Sequence, residues 1–161
     1  AIYVGAWLWD GGEVFTRMAR RDAGVPDADF FVVLFDSYHD HRTAYRFGTW
    51  PSGVQKDQIM VPGSGLGDTS WDPVWEVETR ITDEGWFVEM RIPFSQLRYP
   101  ADEIQHWGFQ TERKLRRKGE DVTWAFTPRS EPGGVARYGH LEGIEDILAD
   151  LEAGFRAAKS A

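Results

Sequence analysis

The chain has 161 residues, 42% of them hydrophobic and none of them cysteine. That is enough for one core and too little for two, and it excludes disulfide frameworks, thiolate zinc sites and cysteine nucleophiles. With 18 Lys and Arg against 26 Asp and Glu the net charge is −8, the wrong sign for wrapping a phosphate backbone, and no apolar run approaches the roughly 20 residues of a membrane-spanning helix.

From Ala1 to Asp10 the residues alternate like a strand with no leader or polar lead-in ahead of them, which predicts that the domain begins upstream of Ala1. If the even positions are core, Tyr3, Trp7 and Trp9 face outward, lining a groove or lying under strands of the parent chain. Val14, Phe15 and Met18 sit at helical spacing and predict a short surface helix over Glu13–Arg21. Asp29–Asp36 is apolar on both parities and rich in β-branched and aromatic residues, as a central strand buried on both faces requires. Arg42–Trp50 and Val54–Met60 flank Pro51-Ser52-Gly53 as a hairpin. The Gly-rich stretch Val61–Ser70 lacks the Lys-Ser/Thr ending and the following helix of a phosphate cradle, so it reads as a connector.

Val74–Ile81 and Trp86–Ile92 flank Thr82-Asp83-Glu84-Gly85 as a second hairpin. Pairing across that loop sets Ile81 opposite Trp86, Thr79 opposite Val88 and Val77 opposite Met90 on an apolar face. The other face pairs Glu76 with Arg91, Arg80 with Phe87 and Glu78 with Glu89. Pro93–Leu97 predicts one helical turn, and Trp107–Leu115, Val122–Phe126 and Val135–Leu141 predict further strands. From Ile144 the period becomes 3.6, with acids early and Arg156 and Lys159 late, predicting an amphipathic C-terminal helix. Many short strands at hairpin spacing without repeated helices predict an all-β fold. The expectation is an antiparallel β-sandwich over residues 1–143, with short helices and the C-terminal helix over 144–161.

Several stretches carry a family resemblance: Phe35-Asp36-Ser37-Tyr38-His39-Asp40, Thr43-Ala44-Tyr45-Arg46-Phe47, Trp71-Asp72-Pro73-Val74-Trp75-Glu76, Trp107-Gly108-Phe109 and, most specific, the run Gly85–Leu97. Together they make residues 2–141 resemble carbohydrate-binding module family 9-like domains, of the type found in large bacterial proteins with a predicted outer-membrane barrel region. The resemblance implies a β-sandwich that binds sugar reversibly without turning it over. It also implies a periplasmic or cell-surface setting linked to carbohydrate catabolism, structural calcium in many members, and no direct insertion into the membrane. The partners expected are a carbohydrate and the remainder of the parent chain.

A sugar site needs flat apolar faces for the C–H side of a pyranose and fixed polar groups for its hydroxyls. Parity assigns Trp75, Trp86 and Trp107 to the core, whereas Trp50, beside Pro51 at a hairpin tip, and Trp71, just before Pro73, are placed as platforms. Arg46, Lys56 and Gln58 share the polar face of the first hairpin, and Arg46 fits the arginine that the resemblance implies. Trp124, with Phe126 and Arg129, precedes a turn near the family's second platform. The candidate carbohydrate-binding set is therefore Arg46, Trp50, Gln58, Trp71, Trp124 and Arg129.

The cluster Asp36–His41 has no spaced partner motif for a transition metal, so the metal stays unknown. Calcium through Asp36, Asp40 or Asp10 follows the family analogy. No glycosidase pair can be selected among 26 acids, and Pro62 spoils Gly63-Ser64-Gly65 as a nucleophile elbow, so no catalytic residue is assigned. Two other readings stay open: a scaffold domain without a sugar ligand, and a sandwich binding haem through Met60, Met90 or a histidine.

Overall fold

The opening alternation builds β1 (Ile2–Trp9), and the run of doubly apolar residues builds β2 (Phe30–Asp36). The hairpins follow as β3 (Ala44–Thr49) with β4 (Gln55–Met60) and β5 (Glu76–Thr82) with β6 (Gly85–Ile92). Then come β7 (Ile104–Leu115), β8 (Glu120–Thr123) and β9 (Gly139–Glu145). This is a computed structural model, and it describes residues 1–24, 27–62, 67–128, 130–145 and 147.

All pairs are antiparallel. A three-stranded sheet in the order β1-β6-β5 faces a six-stranded sheet in the order β4-β3-β2-β7-β8, with β9 also paired to β7. β2 lies between β3 and β7, which is why both of its faces had to be apolar: Val32, Val33, Leu34 and Phe35 are all buried. The second hairpin has the expected register, and it closes one pair further at Thr82–Gly85. Its apolar face meets odd-numbered residues of the larger sheet, and Trp75, Trp86 and Trp107 fill the space between the layers at 4%, 1% and 0% exposure. Even-numbered residues of β1 join them, leaving Tyr3, Trp7 and Trp9 outward and exposed.

Three expectations are corrected. Residues 13–21 form no helix. Two turns are too short to hold themselves without packing, and tertiary bonds claim the backbone instead. The Phe15 amide donates to the Asp29 carboxylate, the Asp29 amide donates to the Phe15 carbonyl, and the Asp22 amide donates to Gln55. Val14 consequently packs on the core while Met18 stands in solvent. Val135–Arg137 is a single 3-10 turn rather than strand, and the strand begins only at Gly139. Ile144 and Glu145, the expected start of the C-terminal helix, are the end of β9, paired with Gln105 and Ile104. Apart from Ile147, which is buried in the core, the rest of that predicted helix lies outside the described residues. The expected turn after Pro93 is present as a 3-10 turn at Phe94–Gln96.

Candidate functional site

The outer face of the six-stranded sheet is not flat. Its even-numbered residues run in rows across the strands: Arg46 lies between Gln58 and Leu34, Gly48 between Lys56 and Val32, and Phe30 beside Lys114. The middle row is low because Gly48 has no side chain, and the Phe30 ring lies over it. A Cβ on Gly48 would meet that ring at 2.2 Å. Trp50 is tilted against one side of Phe30, with ring centroids 5.0 Å apart. The Arg46 guanidinium stands over the ring at 5.6 Å, within cation–π range.

Around this aromatic floor opens a depression of about 530 Å³, lined among others by Arg46, Lys56, Lys114, Glu112 and Asp121. A smaller one of about 320 Å³ adjoins it and shares Arg46, Glu112 and Thr123; Gln110 and Tyr138 help line it. Its far wall is the segment after β8. The Gln110 side chain pins that segment, donating to the Ala125 carbonyl at 2.8 Å and accepting from the Ala125 amide at 2.8 Å.

Arg46 is the hinge of both depressions. Its Nη1 donates to Gln58 Oε1 at 2.9 Å, its Nη2 lies 3.6 Å from Glu112, and its Nε is buried without a partner. Lys114 sits 4.0 Å from Asp121. Arg113, of inner-face parity, turns away from the depressions and donates to the Trp9 and Leu8 carbonyls of β1, its Nε buried and unpartnered. Burial pushes the Arg113 guanidinium pKa down, against the upward pull of Asp10 and Asp29. Burial, reinforced by Glu112, pushes the Tyr138 hydroxyl up, so it stays protonated and able to donate at any ordinary pH.

Of the residues expected from sequence, the structure brings together Arg46 and Gln58, and Gln58 is buried beneath the arginine it positions. The placement of Trp50 as an exposed platform is corrected. It is 3% exposed because the turn at the hairpin tip returns its ring to the row occupied by Phe30. Trp71 is corrected too: it packs on Tyr45 and Phe47, on the core side of the sheet and away from Arg46. Trp124 is 59% exposed, yet it shares the parity of the inner face. It leans on Phe109 and covers Gly139 rather than lining either depression. Arg129 lies outside the described residues. Phe30, Glu112 and Tyr138 were missed. The only sequence signal for Phe30 was its even position in a strand assumed buried on both faces, while Glu112 and Tyr138 reach the site only through pairings that no local pattern encodes.

Elsewhere the structure gathers His39, His41 and His140, with ring centroids 4.5 and 5.2 Å apart. The loop is fixed by Asp36, which accepts the Asp40 and His41 amides, and by Asp40, which accepts the Arg42 and Thr43 amides. Asp10 accepts the Gly12 amide and pairs with Arg117. Both Asp36 oxygens are thus committed to amides, and the Oδ1 atoms of Asp40 and Asp10 to amides and a guanidinium. Among the described residues no group of three acids or histidines is placed to hold a metal ion. Met90 is packed in the core whereas Met60 lines the smaller depression, so the two methionines do not face one space. Among the described residues no helix is long and apolar enough to cross a membrane.

No family model and no curated protein matches the chain. Among solved structures it is similar to a carbohydrate binding module family 9 from Caldicellulosiruptor kristjanssonii in complex with cellotriose. The TM-score is 0.55 and the identity 15%, over 87% of this chain and 67% of that one. The fold is that of a family 9-like carbohydrate-binding module.

Proposed function

We propose that the chain is a non-catalytic carbohydrate-binding module of a larger exported protein, and that it takes a pyranose in the trough over Phe30. The observation that carries this is the Phe30 ring at the floor of an open depression with a positioned guanidinium above it. A sugar's C–H face needs the first and its hydroxyls need the second. Arg46 is held from below by Gln58, so little side-chain freedom is lost when it meets a ligand. The Glu112 carboxylate and the protonated Tyr138 hydroxyl supply an acceptor and a donor along the same path. The similar structure in complex with cellotriose supports this reading. The groove's carboxylates, Glu112 and Asp121, each lie beside a cation, which suits them to hydroxyl recognition rather than to protonating a glycosidic oxygen.

Calorimetric titration with neutral and acidic oligosaccharides tests the proposal. Arg46→Met is expected to weaken binding at least about ten-fold, the worth of one charge-assisted hydrogen bond, with the near-ultraviolet circular dichroism unchanged. Absence of heat with every saccharide, or a variant that binds as the parent does, would remove the proposal. The exposed Tyr3, Trp7 and Trp9 favour a second reading, a scaffold face that packs against another part of a longer protein; oligomerisation of the isolated chain would be its mark.

A further inference from the structure

The groove has a charge that the rest of the molecule does not. The chain carries −8 overall, yet the larger depression has Arg46, Lys56 and Lys114 on its outer-face rows against Glu112 and Asp121. The two acids leave the Lys56 charge uncompensated. Glu112 is 3.6 Å from Arg46 and Asp121 is 4.0 Å from Lys114, both long for ion pairs, and Lys56 has no ion-pair or hydrogen-bond partner among the described residues. The guanidinium Nε donor of Arg46 is buried there without an acceptor. A buried donor left unsatisfied costs about 1–3 kcal/mol, and native structures keep few of them unless a ligand or ion completes the set. An aromatic floor with a surplus cation beside it matches a ring that is apolar on one face and carries a carboxylate on its edge.

We infer that the saccharide taken at this groove is acidic, a pyranose chain bearing uronate carboxylates, with the carboxylate received by Arg46 and Lys56 and the ring stacked on Phe30. This rests on the sugar-binding reading of the same groove and narrows it to a ligand class. A uronate carboxylate offers two acceptor oxygens in the geometry that a guanidinium fork prefers. The unfavourable net charge of the whole chain makes the local cations count, because an anion must be drawn in against the far field of the molecule.

Calorimetry with tetragalacturonate and with its methyl ester tests the inference, since esterification keeps the ring and removes the charge. The acid is expected to bind more tightly than the ester, and raising sodium chloride from about 50 to about 300 mM is expected to weaken the acid alone, as a shorter screening length requires. Lys56→Gln is expected to cost the acid roughly two- to five-fold, the range of an exposed ion pair, and to narrow the difference in affinity between acid and ester. An ester that binds as tightly as the acid overturns the acidic preference while leaving sugar binding in place. If neither binds and neutral oligosaccharides also give no heat, the sugar reading falls with it.

Discussion

Asp57 is fully buried and Asp10 is 7% exposed, but their titrations run in opposite directions. At Asp57 burial dominates and pushes the carboxyl above its ordinary value of 3.8, against hydrogen bonds from Trp75 and Arg21. At Asp10 burial also pushes upward, but Arg117 and the Gly12 amide outweigh it and the result lies below 3.8. The native state therefore holds the Asp57 proton to higher pH than the unfolded chain does, so this residue's contribution to stability declines as pH rises above 3.8. Asp10 contributes above 3.8 and loses its contribution as pH falls through that value and below. Asp57→Asn, which keeps an acceptor for the Trp75 indole, is expected to flatten the stability profile above 3.8, and Asp10→Asn to flatten its acid limb. Urea midpoints measured across pH report both; variant profiles parallel to the parent's would show the assignments to be wrong.

Among the elements, the β5–β6 hairpin was the most legible. Alternation fixed which residues share a face, and a short loop fixed their register. Gly85 makes the junction with β1 possible. Its φ is +134°, and a Cβ there would lie 2.3 Å from the Leu8 carbonyl oxygen and 2.8 Å from the Asp10 nitrogen, both backbone atoms that cannot step aside. Gly85→Ala is expected to cost about 2 kcal/mol or more through strain and collision. Thermal unfolding measures it, and a melting temperature within about 2 °C of the parent would contradict the account. The segment over residues 13–21 shows the opposite case. Its three apolar residues fit a helix by spacing, but its conformation is set by Asp29, Gln55 and Asp57, residues that sequence cannot place beside it.

For the molecule as a whole, the two layers are unequal. Three strands cannot cover six, so the inner-parity residues beyond β7 are left open: Val122, Trp124 and Phe126 are 50%, 59% and 81% exposed. Trp86 and Trp124 thus have the same chemistry and inner-face parity but different surroundings. Trp86→Ala is expected to destabilise by about 3–5 kcal/mol, the cost of emptying a packed aromatic site, and Trp124→Ala by about 1 kcal/mol or less. Denaturant unfolding of the two variants decides; comparable losses would mean that the overhang is in fact packed.

The sequence by itself determined what depends on neighbours along the chain: the strands, the facing of each hairpin, the core tryptophans Trp75, Trp86 and Trp107, and Arg46 with Gln58 on a polar face. Period-two alternation and short turns are local, and a local pattern is fully present in one dimension. Only the tertiary structure decided which aromatic floors the groove, since Trp50 and Phe30 share a row and one had to cover the other. It likewise decided that Trp71 turned to the core, that Trp124 was left outside by a short opposing sheet, and that three cations, from β3, β4 and β7, border a single depression. Those outcomes follow from strand order and layer size, which arise when distant segments compete for the same space.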